Sequence, residues 1–465
     1  MANINEELFE RTPIPKAVRK LMIPTIISSL VMVLYNLADT LFVGMLNDEI
    51  QSAAVSLAAP AMLAFNAVNN LFGVGSSSMM SRALGAKDAD TVTKSASFGF
   101  YGSVISGALM SILCFLFLNP LLNVLGAVSD TVDATRAYMM WAVVFGAVPS
   151  ILNVVLAYLV RSEGASLHAS IGTMSGCFLN IILDPIFILP KGLNMGAAGA
   201  GLATFISNCF ACGYFFVLLA VKRSKTNIKL SPKYFRPNKE IVFGVCGVGI
   251  PASIQNLLNV TGMTVLNNFI KAYGAAAVAA VGIAQKVYMV PLQIALGGTQ
   301  GVMPLVGYSY SAKKCDRFKE CILFVARLML PVITVIAVVC FIFAEPLIGI
   351  FIKKPDVISY GGLFLRGFVC CLPFMLLDFL AVGVFQSVGM GKKSLVFAIL
   401  RKIVLEIPAI ILLDIIFHAK GITYAGAIAE SILAVLGVIL LRRIVADMEE
   451  NNNKENNNPK IKLQK

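Results

Sequence analysis

Asp39 closes the run Val33-Leu34-Tyr35-Asn36-Leu37-Ala38-Asp39, and Asp184 lies in Asn180-Ile181-Ile182-Leu183-Asp184-Pro185, each late in a long apolar stretch. A charge in hydrocarbon costs about 2.5–3.5 kcal/mol even on a lenient insertion scale, so each carboxylate needs a reason. Helical spacing puts Asn180 and Asp184, four residues apart, on one face, and lets Tyr35 and Asn36 share the face of Asp39. Thr204 comes early in the next apolar stretch, at the same depth if that helix returns across the membrane. Two carboxylates in a low-dielectric pocket cannot both stay ionised without a cation between them. Either one binds a proton, or Asp39, Asn180 and Asp184 coordinate Na⁺ through oxygen. That is the chemistry of ion coupling. The blander alternative is that the two aspartates hydrogen-bond helix backbone near an interface.

Other intramembrane charges are weaker signals. Asp378 lies in the expected tenth helix, Lys286 in the eighth, Arg366 in the tenth, Arg401 and Glu406 in the eleventh and Glu430 in the twelfth. Asp378 or Lys286 can face a cavity, and Lys286 can equally pair with a carboxylate to hold helices together. Arg401 is expected to snorkel to the membrane edge. No enzyme constellation is present: the two histidines, His168 and His418, fall at opposite membrane faces, and there is no HExxH, Walker loop or GxSxG. Without a nucleotide-binding motif, uphill pumping requires an ion gradient or a partner that hydrolyses ATP.

The elements that must position these groups are membrane helices. The chain is 58% hydrophobic and 14% charged, with a mean hydropathy of +0.82. A soluble domain carries close to twice that charge. Twelve helices are expected, near 17–46, 52–80, 93–118, 133–160, 166–190, 195–221, 241–270, 275–306, 318–345, 357–386, 393–417 and 420–444. Pro24, Pro60, Pro251 and Pro304 fall inside them and are expected to bend them. The start, Met1 to Pro15, has no cleavable signal pattern, so the first helix is expected to serve as its own signal. The ten cysteines read as small hydrophobes rather than a disulfide framework.

The chain also repeats. Ile23-Pro24-Thr25 recurs as Ile250-Pro251-Ala252, Leu84-Gly85-Ala86-Lys87 matches Tyr310-Ser311-Ala312-Lys313, and Ala198-Gly199-Ala200 matches Ala425-Gly426-Ala427, all about 226 residues apart. The sense of the matches makes the repeat parallel. A duplicated bundle of apolar helices is the build of a secondary transporter. The net charge of +13 does not point to nucleic acid, because Lys and Arg crowd alternate loops. That bias places both termini in the cytoplasm. The expected organisation is a cytoplasmic N-terminus 1–16, a first lobe 17–221, a cytoplasmic linker 222–240, a second lobe 241–445 and a disordered tail 446–465.

Several runs together carry a family resemblance: Pro24 with Asp39, Leu71-Phe72-Gly73-Val74-Gly75, Ser81-Arg82-Ala83-Leu84-Gly85-Ala86-Lys87, Leu179-Asn180-Ile181-Ile182-Leu183-Asp184-Pro185, Gly196-Ala197-Ala198-Gly199 and Gly249-Ile250-Pro251. Over about residues 8–445 the chain resembles the multidrug and toxic compound extrusion family, MATE, and within it the MepA-like bacterial branch. The resemblance implies an all-α polytopic protein of two six-helix lobes, V-shaped around a central cavity. It implies antiport of lipophilic organic cations against H⁺ or Na⁺ in a bacterial plasma membrane, with no cofactor. Its ion-binding groups match Asp39, Asn180, Asp184 and Thr204, and its bent first helix matches Pro24. Some members use acids of the second lobe instead. Here the seventh helix carries Gln255, Asn256 and Asn259 and no acid, and Asp378 does not clearly match the tenth-helix acid of those members. That departure favours the first-lobe site. Gln255, Asn256, Asn259, Met263, Met289 and Asp378 are candidate cavity residues, and Pro251 is the second expected kink. The expected partners are cationic drugs and the lipid bilayer, with a monomer as the working unit. The rival readings are a lipid-linked oligosaccharide flippase of the same wider fold, which should show a cluster of cavity Arg or Lys, a membrane-embedded enzyme, and a passive scaffold or channel.

Overall fold

The computed structural model describes residues 4–457, which are helical with no strand among them. Among these residues nine helices are long and apolar enough to cross a membrane. Two more spans are bent pairs: Val132–Phe145 with Ala147–Ser162, at 46°, and Pro355–Cys370 with Leu372–Ser387, at 42°. The remaining span joins Gly391–Ile399 to Ile407–Phe417 through a π-helical stretch, Leu400–Glu406, that carries Arg401, Lys402 and Glu406. This gives twelve spans, as expected. They are the first, Ile14–Gly44, the second, Glu49–Gly85, the third, Ala89–Leu116, the bent fourth, the fifth, Ser166–Ile188, and the sixth, Gly196–Val221. The seventh to ninth are Lys239–Lys271, Ala275–Ser311 and Cys315–Ile342. The tenth and eleventh are the broken spans above, and the twelfth lies in Ala425–Asn457.

The repeat is written in the backbone. The bent spans are the fourth and the tenth, broken at Gly146 and at Cys371. Left-handed turn residues recur at matching places: Asn47 at φ 50° and Gly274 at 92°, Lys87 at 61° and Lys313 at 55°, Gly164 at 82° and Gly389 at 84°. A lysine in this region is uncommon. Two at equivalent inter-span turns mark one turn used twice.

The chain packs as two compact units of nearly equal size, but they do not divide at the linker. Among the described residues, one unit holds 4–5, 27–80 and 88–253; the other holds 6–26, 81–87 and 254–457. The first and seventh spans therefore each change unit part-way, at 26/27 and 253/254, two residues beyond Pro24 and Pro251. Both prolines lie inside continuous helices. Each removes one backbone hydrogen bond where the helix leaves one packing environment for the other. The sharp breaks fall elsewhere, in spans four and ten.

Two terminal expectations need correction. The N-terminal segment 1–16 is not merely a lead into the first span: Ile4–Glu10 is a helix, and its residues 6–10 belong to the second unit. Leu8 and Phe9 are buried, and Phe9 stacks on Tyr308 with centroids 5.0 Å apart. Arg317 donates to the Phe9, Leu8 and Thr12 carbonyls at 2.6, 3.2 and 2.6 Å, satisfying the end of that helix with a cation. The Tyr308 hydroxyl donates to Glu10 Oε1 at 2.8 Å, and Lys314 and Lys87 lie at 3.5 and 3.7 Å. Despite some desolvation, these partners hold the Glu10 carboxyl below its ordinary 4.5. At the other end, the last helix runs on through Asn457 rather than being disordered from 446; Met448 packs against the second unit's core and Lys319 donates to Glu449 Oε1 at 3.1 Å. The rest of the expected tail, 458–465, lies outside the described residues.

The linker region is bound to the first unit. Buried Glu163 accepts from Thr226 Oγ1 at 2.6 Å and the Asn227 backbone N–H at 2.7 Å, and Tyr101 donates to the Leu230 carbonyl at 2.7 Å. All ten cysteines are free.

Candidate ion-coupling site

Four spans of the first unit build the site. The first supplies Tyr35 and Asp39, the fourth Tyr138, the fifth Asn180 and Asp184, the sixth Thr204. Spans five and six meet closely because small residues line the seam. A Cβ on Gly199 would stand 2.6 Å from the Phe187 carbonyl oxygen, and one on Gly201 would stand 2.8 Å from the Tyr138 carbonyl oxygen. Only glycine lets the sixth span approach the fifth and fourth at that level, three to five residues from Thr204. Pro185, next to Asp184, removes one backbone donor inside the fifth span.

Asp184 is fully buried and Asn180 is 2% exposed. With its nitrogen toward the carboxylate, the Asn180 amide donates to Asp184 Oδ2 at 2.9 Å and accepts from the Thr204 N–H at 3.1 Å. One amide thus ties the fifth span to the sixth and holds the carboxylate. Asp39 and Tyr35 are half-buried. Asp39 lies close enough to Asp184 for their charges to interact, and Tyr35 and Tyr138 lie within reach of both. Among the described residues, no lysine, arginine or histidine acts on either aspartate. The pocket presents two carboxylates, an amide, a hydroxyl and two phenols with no cation of its own.

Five of the six residues expected at this site share it, and Asn36 does not. Its side chain is exposed, and Nδ2 donates to the Met32 carbonyl of its own helix at 2.9 Å. Three residues before Asp39, it lies off the inward face, which Tyr35 takes. Tyr138 is the member that the sequence reading missed. Its fourth-span stretch is broken by the π-helix Met140–Phe145, and such irregularities often mark functional sites.

Two of the second-unit candidates, Asn259 and Asp378, meet at Arg401. Gln255 Oε1 accepts from Gln386 Nε2 at 3.1 Å, and Asn259 Oδ1 accepts from Arg401 Nη2 at 3.0 Å. Asp378 is 1% exposed and pairs with Arg401 Nη1 at 2.9 Å, so it is neutralised inside the protein. Met263 is 47% exposed, Asn256 and Met289 are half-buried, and Lys286 is exposed. Arg401 does not snorkel: it is 2% exposed because Asp378 and Asn259 draw it inward.

The matches to known proteins follow the same outline. The MatE family model matches residues 24–186 and 251–412, one match in each repeat. The chain is a member of the MATE family. It is 34% identical over 448 residues to the multidrug export protein MepA of Staphylococcus saprophyticus, covering 95% of this chain and 97% of the relative. It is 33% identical over 455 residues to the multidrug export protein MepA of Staphylococcus aureus, covering 95% and 97%. Its fold matches an outward-facing multidrug resistance MATE family transporter of the MOP superfamily, at a TM-score of 0.91 with 26% identity over 97% of this chain and all of that one. This MATE protein is accordingly a multi-pass membrane transporter and not an enzyme.

Proposed function

We propose that this MATE transporter exports lipophilic organic cations in exchange for H⁺ or Na⁺, and that the coupling ion binds at Asp39 and Asp184. The observation that carries the reading is the carboxylate pair, buried Asp184 with half-buried Asp39, on which no lysine, arginine or histidine acts among the described residues. Such a pair requires a cation from outside. H⁺ on one aspartate meets the need, and so does Na⁺ held by Asp39 and Asp184, for which Asn180 would turn its oxygen from the Thr204 N–H to the ion. Asn180 links that event to the sixth span through Thr204. A change of charge in the pocket therefore acts on the packing of three helices. A cationic drug and the coupling ion then compete for one negative region, and alternating access carries them in opposite directions.

The lobes that move are the six-helix halves 17–221 and 241–445, apart from the segments that pack with the opposite unit, 17–26, 81–87 and 241–253, joined by a cytoplasmic linker at 222–240, with both termini in the cytoplasm of a bacterial cell and the monomer as the working unit. No cofactor enters this scheme. The MepA names of the relatives support drug export. A flippase for pyrophosphate-linked sugars needs unpaired cavity cations, and here Arg401 and Lys402 are each paired with a carboxylate. The test is ethidium efflux from proteoliposomes under separately imposed pH and Na⁺ gradients. Efflux driven by one of them supports the proposal; efflux driven by neither overturns it.

A further inference from the structure

The first-unit site leaves one buried acid of the molecule unexplained. Glu430, in the twelfth span, is fully buried, and neither of its carboxylate oxygens has a hydrogen-bond partner. The nearest guanidinium nitrogen is Arg401 Nη1 at 3.7 Å, outside hydrogen-bond reach. Arg401 is already committed, with Nη1 on Asp378 Oδ2 at 2.9 Å and Nη2 on Asn259 Oδ1 at 3.0 Å. The other charged groups acting on Glu430 are Lys402 and Glu406 of the eleventh span. Tyr288 of the eighth span and Cys371 of the tenth lie near it as neutral groups. Lys402 is spent on Glu406, at 2.6 and 2.8 Å.

The charges do not balance. Asp378, Glu406 and Glu430 set three negative charges against two positive ones, Arg401 and Lys402, so the cluster is one short. Asp378 has the arginine and Glu406 has the lysine; Glu430 has neither. A buried, unpaired carboxylate takes a proton rather than stay ionised. We propose that Glu430 is a proton-binding site of the second unit, separate from Asp39 and Asp184, and that Arg401 sets its occupancy. With Arg401 on Asp378, Glu430 is a neutral acid. If Arg401 closes the 3.7 Å gap, the Glu430 O–H bond breaks, the proton leaves to water and the carboxylate takes the guanidinium. No electron moves. Asn259 belongs to the seventh span, so its hold on Arg401 ties the position of that span to the proton.

The test is infrared difference spectroscopy on purified full-length protein carrying Asp39→Asn and Asp184→Asn, which silences the first-unit site whatever its role. The proposal predicts that a carboxylic-acid C=O band persists at neutral pH, shifts in heavy water and is lost, by one acid per molecule, when Glu430→Gln is added. If Glu430→Gln fails to fold, Glu430→Asp must move the same band. A band untouched by either Glu430 substitution, a band removed by Asp378→Asn instead, or no residual acid band at all overturns the proposal.

Discussion

The two halves of this transporter each hold carboxylates inside the helix bundle, and they treat them in opposite ways. Asp39 and Asp184 face each other with phenols, an amide and a hydroxyl. Asp378 and Glu430 have Arg401 between them, at 2.9 and 3.7 Å. The repeat makes the divergence concrete. Thr204 stands 226 residues before Glu430, and Asn180 stands 226 residues before Glu406. One copy keeps neutral oxygen ligands where the other has acids, and the copy with the added acids also carries Arg401 and Lys402. The first-unit pair has no cation of its own among the described residues, and the second-unit cluster has two cations for three acids, which leaves Glu430 without one.

The largest effect expected from this contrast is on transport. Asp39→Asn and Asp184→Asn should each reduce gradient-driven ethidium efflux to background, while the protein stays folded in the membrane. Because the two groups share a pocket, the double variant should be little worse than either single one. Asp378→Asn should be milder, since it removes half of an internal pair rather than a ligand of the travelling ion. Rates in proteoliposomes at matched incorporation give the ranking, and Asp378 as the only essential acid would reverse the account.

Stability should show the opposite order. Arg401→Ala leaves buried Asp378 without its cation and should cost about 3–5 kcal/mol, the range for breaking a buried pair. Asp39→Asn should cost far less or even stabilise, because it relieves a like-charge pair. Thermal unfolding followed by size-exclusion recovery compares them. Adding Asp378→Asn to Arg401→Ala should restore part of the loss.

The smallest effect lies at the N-terminal helix. Glu10 is held below its ordinary 4.5, first by Tyr308 and then by Lys314 and Lys87. For a carboxyl with a depressed value, the stabilisation is complete above 4.5 and is lost as pH falls through the lower, folded value. Docking of Ile4–Glu10 should therefore loosen only in that acidic window. Glu10→Gln should loosen it at all pH, by about 1 kcal/mol or less given the exposure of Lys87. Hydrogen exchange of residues 4–12 reads both.

Much of this was legible in the sequence. Twelve apolar runs, a constant repeat offset and i, i+4 spacing at Asn180 and Asp184 are local properties, and the spans and the amide–carboxylate contact follow from them. What was not legible depends on side-chain rotation and on long-range packing. Asn36 and Tyr35 are adjacent in sequence, and only packing decides which one turns inward. Arg401 lies near the end of an apolar run, where snorkelling is the default, and partners 23 residues upstream and on the seventh span draw it inside. The exchange of the starts of the first and seventh spans between units is a tertiary choice; only Pro24 and Pro251 mark it in advance.

The central claim is that Asp39 and Asp184 take up the coupling cation. Its most direct test is cation binding by purified protein, as proton release on addition of a lipophilic cation such as tetraphenylphosphonium, together with retention of radioactive sodium. The account predicts that wild type releases or binds one H⁺ or Na⁺ per molecule. That signal should vanish in Asp39→Asn and in Asp184→Asn and survive in Asp378→Asn. A signal that persists in both first-unit variants and disappears in Asp378→Asn would contradict it.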